Sequence, residues 1–341
     1  SIVTAAASDI CAGNGARLNT FSFDFRDNNL YFTANSFQPE RDRPFVDIML
    51  ERYDVNHTYL ECDENLLADM LYPAVDARDL PGMADIDASL LHFCSLVKRE
   101  NKVALTGECA DEVFGGYPWF YRNALMHAGT FPWSRDIGTR TLLLSDDFIR
   151  ELQLEDYVDA RYTRSLQAVP VLEGESPGER RRREITYLNI KWFMQTLLDR
   201  MDRASMYSGL EARVPYADHR IVEYVFNIPW EMKYREGVEK ALLRTACRDL
   251  LPEEILFRRK SPYPKTYHPN YERLLAQRFR DIIHNPNSPI MSIIDKKKAL
   301  AFIEAPADYG RPWFGQLMAA PQLMAYMIQV NYWMEKYRCM V

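Results

Sequence analysis

The period of hydrophobic and polar positions changes near residue 140 of this chain. Before that point, LNTFSFDF, HTYLECD and KVALTG are short apolar or alternating runs, which predict strands. SIVTAAASDICAGNG, RPFVDIMLERY and ADIDASLLHFCSLVKREN have the spacing of helices. Strand–helix alternation at this spacing predicts an α/β fold with a doubly wound parallel sheet, in which ligands bind at the carboxyl ends of the strands.

After residue 140 the periodic segments are helical, and no convincing strand stands between them. They are SDDFIRELQ, ITYLNIKWFMQTLLDRMDRASM, DHRIVEYVFNI, EKALLRTACRDLL and QLMAYMIQVNYWMEKY. We therefore predict an α/β part over residues 1–140 and an all-helical part over residues 141–341 that packs against it. GESPGERRRRE is predicted to be a solvated, mobile connection, and phosphate contact by its arginines is the less favoured alternative.

Composition narrows the class of protein. A chain of 341 residues is long enough for two domains or one large one. Its formal charge of -6 argues against a nucleic-acid-binding surface, and no apolar run approaches the roughly 20 residues of a membrane span. The six cysteines are scattered without a C-x-x-C pair, which is typical of reduced thiols in a cytoplasmic protein.

The stretch LTGECADEVFGGY places acidic residues directly behind a predicted strand. Thr106 and Gly107 would lie at the carboxyl edge, where Gly107 lets a ligand approach the backbone and Glu108 projects over the rim. Asp111 would stand near a helix start, where its carboxylate is suited to Mg²⁺. The equally open alternative is that Asp111 caps a helix while Glu108 faces water.

Two further stretches concentrate charge. LLDRMDRASMYSGLEARVPYADHR is dense in arginine–carboxylate pairs, although a structural amphipathic helix is the favoured interpretation from composition alone. Pro215 should end any helix before it, because Val214 is pushed out of the α region. FRRKSPYPK is a proline-stiffened basic loop suited to phosphate, and a plain surface loop is slightly favoured. The chain has no Walker P-loop, no G-x-S-x-G and no H-E-x-x-H motif.

Taken together, LTGECADEVFGGY, LLDRMDRASMYSGLEARVPYADHR and LPEEILFRRKSPYP resemble the synthetase domain of glutamine-dependent asparagine synthetases, in the same order and over essentially the whole chain. The resemblance implies an ATP-pyrophosphatase-type fold with ATP and Mg²⁺ at its site. It also implies that aspartate is adenylated on its side chain and that ammonia then displaces AMP. We expect this chain to be a nearly inactive fragment, without the strand and S-G-G-x-D-S pyrophosphate loop before Ser1 and without the glutaminase domain that releases ammonia.

The family pattern also implies roles for individual residues. Asp111 is the Mg²⁺ carboxylate, and Thr106 and Gly107 line the nucleotide. Phe23 takes the place of an apolar adenine contact. Glu108 supports formation and amination of the acyl-adenylate.

Two cationic positions complete the set that the resemblance implies. Lys260 matches the lysine that neutralises negative charge on the phosphates, and Arg203, with Asp202, orders the site from the helical part. Cys109 departs from the pattern, because glycine is common at that position. The family pattern also allows a homodimer.

Two rival functions stay open from the sequence alone. A β-lactam-forming or peptide-cyclising relative uses the same adenylation followed by an intramolecular nucleophile. In the β-lactam formers the position of Glu108 tends to be tyrosine, so glutamate favours ammonia as the nucleophile. The other rival is an inactive truncated module that binds its ligands without turnover.

Overall fold

The computed structural model describes residues 1–34, 38–306, 312–313, 316–317 and 320–339. Within these residues, six strands pair as three two-stranded sheets. The parallel pairs join β1 (Leu18–Phe25) to β2 (Val55–Cys62) and β3 (Val103–Leu105) to β4 (Glu211–Arg213), and β5 (Pro312–Trp313) is antiparallel to β6 (Gln316–Leu317). The chain is therefore an α/β protein with a small parallel sheet component.

Helices make up most of the remaining chain. Those before residue 140 are α1 (Ile2–Gly13), α2 (Asn28–Tyr31), α3 (Arg43–Arg52), α4 (Glu64–Asp69), α5 (Leu71–Arg78), α6 (Asp85–Val97), α7 (Ala110–Phe114) and α8 (Asn123–Met126). Those after it are α9 (Asp146–Leu152), α10 (Leu154–Gln167), α11 (Pro177–Leu188), α12 (Gln195–Tyr207), α13 (His219–Phe226), α14 (Trp230–Lys233), α15 (Ala241–Ala246), α16 (Glu253–Leu256), α17 (Pro269–His284), α18 (Lys296–Glu304) and α19 (Ala320–Tyr337). A π-helical segment, Asn189–Met194, joins α11 to α12, and short 3-10 turns lie at Pro118–Phe120, Gly138–Thr141, Pro215–Ala217 and Pro289–Ser292. None of the helices in the described residues combines the length and the apolar composition that a membrane span requires.

The largest hydrophobic core joins the β1–β2 pair to helices from both ends of the chain. Phe25 of β1, Leu91 of α6, Phe279 of α17 and Ile328 of α19 are all buried in it. Burying one such side chain contributes about 1.5–3 kcal/mol. The amino-terminal sheet is therefore held in place by carboxyl-terminal helices.

A second, aromatic core supports the chain that follows α7. Trp119, Trp133 and Phe193 are buried there with ring centroids less than 6 Å apart, and Tyr117 stacks on Trp119 at 4.3 Å. Such aromatic pairs favour fixed relative orientations. This core anchors the turn that carries Gly115 and Gly116.

Two predictions about the carboxyl-terminal part are wrong. The first is the absence of a strand after residue 140, since β4 pairs with β3 in parallel from Val103↔Glu211 to Leu105↔Arg213. The second is the prediction that GESPGERRRRE forms a mobile connection, since most of this stretch is helical. Its serine, Ser176, forms a capping box with Glu179 and starts α11, because a reciprocal cap satisfies the free N–H groups of the first turn.

Candidate active site

The amino-terminal half of β1 and the whole of β3 face each other across a cavity of about 520 Å³. Leu18–Phe21 line one wall and Val103–Leu105 line the other, while the start of α1 lies alongside. At the carboxyl end of β3, Gly107 and Asp111 contribute to the lining together with Lys240 and Lys260. The cavity thus has an apolar, strand-lined part and a charged end.

Asp111 is held by two ammonium groups at the charged end of the cavity. Its Oδ1 lies 2.6 Å from Nζ of Lys240, and its Oδ2 lies 2.8 Å from Nζ of Lys260. Burial by itself would raise the pKa of Asp111, but the two lysines outweigh burial and hold it well below its usual range. Asp111 is therefore a carboxylate across the physiological pH range, and it lies in direct contact with Lys260 from a distant part of the sequence.

The backbone around Asp111 is tightly constrained. Cys109, which precedes α7, is buried and has a φ of 69°, in the left-handed region that favours glycine. After α7, Gly115 has a φ of 75°. At Gly116 a Cβ would lie 2.1 Å from Oδ1 of Asp111, so the absence of a side chain there leaves the carboxylate room to meet its lysines.

The neighbouring acid, Glu112, points away from the cavity lining. Its Oε1 accepts a hydrogen bond from the hydroxyl of Tyr117 at 2.5 Å. Burial and the adjacent Asp111 carboxylate raise the pKa of Glu112 to about 7. Glu112 therefore ties α7 to the aromatic core, while Asp111 alone of this acidic pair meets the lysines.

Lys240 is a site residue that sequence reasoning missed. It stands one residue before α15 with a φ of 55°, shortly after Gly237 at 82°. Arg244 braces this segment: its guanidinium donates to Oε1 of Glu239 at 2.7 Å and to the carbonyl oxygen of Arg258 at 3.2 Å. The same side chain thus connects the segment bearing Lys240 to the loop bearing Lys260. The sequence signal for Lys240 is a glycine, Gly237, three positions before it.

Thr106 and Glu108 form the turn between β3 and α7. The Glu108 N–H donates to Oγ1 of Thr106 at 3.0 Å, and the Thr106 N–H donates to the carbonyl oxygen of Arg213 on β4 at 3.0 Å. Oε1 of Glu108 accepts from a guanidinium nitrogen of Arg200 at 2.7 Å. The turn is therefore held by a hydrogen bond to β4 and by an ion pair with α12.

The arginine that reaches this turn is Arg200, and the structure does not bring Arg203 to it. Arg200 is 5% exposed, on the face of α12 that also buries Leu197 and Ala204. The Arg203 side chain is 51% exposed, and its guanidinium lies 3.6 Å from Asp199 on the same helix. Asp202 lines a separate open groove beside β4. The packing of α12 thus turns Arg203 outward, away from the turn that carries Glu108.

Gly107 belongs to the lining of the cavity, whereas Phe23 is not among the described residues that line it. Phe23 packs edge-on against Phe25 and Phe93 at 5.2 and 5.5 Å, while Phe21 and Phe93 supply aromatic surface to the lining. At Gly107 no protein atom lies within 4 Å of the place a Cβ would occupy. This open space suits close approach of a ligand to the backbone.

The donor atoms at the charged end of the cavity decide whether this site suits Mg²⁺. No group of three or more His, Cys, Asp or Glu side chains in the described residues has the arrangement of a protein-only metal cage. Asp111 is a single, partly buried carboxylate in the lining of the cavity. Mg²⁺ commonly keeps several waters and uses one or two carboxylates together with phosphate oxygens. The donor set therefore fits a metal that enters with phosphates.

Comparison with known proteins identifies the family. The asparagine synthase family model matches residues 1–335. The chain is 46% identical over 340 residues to asparagine synthetase [glutamine-hydrolyzing] 3 of Bacillus subtilis, covering 99% of this chain and 55% of that protein. It is 27% identical over 216 residues to asparagine synthetase [glutamine-hydrolyzing] 1 of the same organism, covering 53% of this chain and 34% of that protein.

A human relative, asparagine synthetase [glutamine-hydrolyzing], is 37% identical over 94 residues, which cover 27% of this chain and 15% of that protein. The chain thus belongs to the asparagine synthase family. Nearly all of this chain matches asparagine synthetase [glutamine-hydrolyzing] 3 of Bacillus subtilis, but the match spans only about half the length of that protein. The family predicted from the three motifs is confirmed.

Proposed function

We propose that the full-length protein is an AMP-forming ligase that amidates aspartate to asparagine with ATP and ammonia. The observation that carries this proposal is the meeting of Asp111, Lys240 and Lys260 at the carboxyl end of β3, beside a cavity large enough for a nucleotide. The relatives' names support the reaction and also support glutamine as the source of ammonia. Ammonia would then come from a glutaminase domain of the full-length protein.

The first step is adenylation. An oxygen of the aspartate side chain attacks the α-phosphorus of ATP, and the bond to pyrophosphate breaks, giving β-aspartyl-AMP and pyrophosphate. Lys240 and Lys260 would hold the phosphates and neutralise the charge that builds up on the leaving pyrophosphate. Gly107 and Thr106 would line the nucleotide, and Mg²⁺ held at Asp111 would add positive charge against the phosphate oxygens.

The second step is amination. Ammonia attacks the acyl carbon of the adenylate, the bond to AMP breaks, and the nitrogen loses a proton to give the amide. Glu108 stands at the rim of β3 with one carboxylate oxygen on Arg200. The other oxygen, Oε2, is buried and has no hydrogen-bond partner in the described residues. This oxygen would accept a hydrogen bond from the incoming nitrogen, which requires an N–H donor.

We also propose a further parallel strand, directly before Ser1, between β1 and β3. The cavity walls are strand residues on both sides, and Val103 and Leu105 of β3 are 41% and 49% exposed. Apolar strands of parallel sheets are normally buried on both faces. Insertion of one strand would join β1–β2 and β3–β4 into one doubly wound sheet and place a pyrophosphate loop beside Asp111. This chain alone should then have almost no activity.

Incubation of the full-length protein with aspartate, ATP, Mg²⁺ and ammonium tests the function. Equal amounts of AMP, pyrophosphate and asparagine are expected, with little product from residues 1–341 alone. Glu108→Gln, which keeps an oxygen for Arg200 but removes the negative charge, should lower asparagine formation at least tenfold while the thermal unfolding temperature stays near that of the wild type. Pyrophosphate release that depends on a different acid, or a cyclised product made without ammonia, would replace this proposal by the β-lactam or peptide-cyclising alternative.

A further inference from the structure

A row of alternating charges leads from Glu108 into the protein. Glu108 contacts Arg200 at 2.7 Å, and Arg78 contacts both Asp87 at 3.1 Å and Asp199 at 3.3 Å. Arg200 and Asp87 both meet Met83: a guanidinium nitrogen of Arg200 lies 3.6 Å from its sulfur, and the Met83 N–H donates to Oδ2 of Asp87 at 2.9 Å. Arg200 and Asp87 are thus neighbours on either side of Met83.

Asp87 has little freedom to move. It lies in the first turn of α6, is buried, and uses Oδ2 for both Met83 and Arg78. At Gly82 a Cβ would come within 1.9 Å of this same oxygen. Oδ1 of Asp87 is buried without a hydrogen-bond partner in the described part of the chain. Asp87 therefore presents a fixed negative charge beside Arg200.

Arg200 is attracted from two sides. Burial lowers the pKa of its guanidinium, but Glu108 and Asp87 outweigh burial and raise it. A guanidinium can bind both oxygens of one carboxylate with two parallel N–H bonds. Arg200 instead binds only Oε1 of Glu108, and its Nε has no hydrogen-bond partner in the described residues. The other terminal nitrogen of Arg200 lies instead 3.6 Å from the sulfur of Met83, the residue whose N–H binds Asp87.

We propose that Asp87 is a positioning residue, which restrains Arg200 to one oxygen of Glu108 and so leaves Oε2 of Glu108 to the reacting molecule. This inference rests on the proposed function, in which Oε2 accepts from the incoming nitrogen. Without the Asp87 charge, Arg200 would donate N–H bonds to both carboxylate oxygens of Glu108. Oε2 would then be occupied by the guanidinium. Asp87 thus acts on the reaction through Arg200 and Glu108, without touching the substrate.

The test compares three variants of the full-length enzyme with the wild type. Asp87→Asn should lower the kcat of ammonia-dependent asparagine formation at least tenfold, with the KM for ATP within twofold. Asp85→Asn is the matched control, because Asp85 is buried in the same helical turn and bonds Gln322 at 2.8 Å. Its kcat should stay within twofold of the wild type.

Arg78→Gln separates positioning from structural support. It breaks the same Arg78–Asp87 pair but leaves the Asp87 charge, so its kcat should stay within about threefold of the wild type. Equal losses in folded Asp87→Asn and Arg78→Gln enzymes would overturn the inference, as would an unchanged kcat in Asp87→Asn. If Asp87→Asn does not fold, the kcat of folded Arg78→Gln still decides, since a tenfold loss there contradicts positioning.

A crystal structure of the Asp87→Asn variant provides a readout that is independent of activity. Arg200 should bind both oxygens of Glu108, and an unchanged single contact would overturn the inference. If the wild type makes no asparagine, the proposed function fails. The geometry of Arg200 in this variant would still report whether Asp87 positions it.

Discussion

Nζ of Lys260 lies 2.8 Å from Oδ2 of Asp111, although 149 positions separate the two residues in the chain. Lys240 occupies the other oxygen of the same carboxylate. In this arrangement a single carboxylate pairs with two ammonium groups, one on each oxygen. Phosphate oxygens entering the cavity would compete with Asp111 for the two ammonium groups and leave the carboxylate to a metal ion.

Gly116→Ala should disrupt this arrangement without removing any charge. The added methyl group would overlap Oδ1 of Asp111, so the carboxylate must rotate away from Lys240. Pyrophosphate release by the full-length protein should fall at least tenfold. Gly13→Ala is the control, because a Cβ there meets no atom within 4 Å. Equal activity in the two variants would show that the position of Asp111 is not critical.

Lys240→Gln should weaken ATP use even though its segment is distant in sequence from the other site residues. It removes one of two charges that would hold the phosphates, and we expect at least a tenfold lower kcat/KM for ATP. Lys336→Gln is the control, because this exposed lysine pairs with Asp76 away from the cavity. A loss no larger than that of the control would exclude Lys240 from phosphate binding.

Cys109→Val should destabilise the protein more than Cys109→Gly. A φ of 69° is unfavourable for a β-branched residue, whereas glycine adopts it freely. We expect Val to lower the free energy of unfolding by about 2–4 kcal/mol relative to Gly, since strain and overpacking add. Urea unfolding of both variants measures this difference. Equal stability would mean that the turn accommodates a branched side chain.

The stability of Asp85→Asn relative to the wild type should increase with pH. Burial raises the pKa of Asp85 to about 6, so the folded protein holds this proton at a higher pH than the unfolded chain does. Raising the pH from about 4 to 6 therefore destabilises the wild type by up to about 3 kcal/mol. The variant is not destabilised in this way, because the asparagine side chain carries no carboxyl group to lose a proton. Urea unfolding of both proteins at pH 4.5 and pH 7.5 measures this change. A difference in the free energy of unfolding that is the same at both pH values would contradict the prediction.

Local patterns predicted most elements of the first part of the chain. The predicted strands LNTFSFDF and KVALTG correspond to β1 and β3, and the predicted helix after Gly82 corresponds to α6. In contrast, β4 is only three residues long, and Glu-Ala-Arg has no apolar alternation. Its strand conformation comes from pairing with distant β3, which no local window reveals. The division near residue 140 stays a prediction.

Sequence motifs indicate those residues of the candidate site that stand within a motif. They do not indicate the residues that only the packing of the folded chain brings to the site. Asp111 and Lys260 stand in motifs that match the family. Lys240 directly precedes a helical pattern, EKALLRTACRDLL, and local periodicity does not distinguish it from the other polar positions of that helix. Arg200 and Arg203 are both charged positions of one amphipathic helix, and only the packing of α12 decides which is buried. The catalytic and binding roles of these residues stay predictions.

The pairing of β3 with β4 also affects how the protein is made. Glu211 follows Val103 by 108 positions, so during synthesis β3 leaves the ribosome long before its partner exists. Contacts of such sequence separation form slowly, and an apolar strand with an open edge invites association with other chains. Early termination within this interval would release a product with an unpaired β3, which a chaperone must shield or a protease remove.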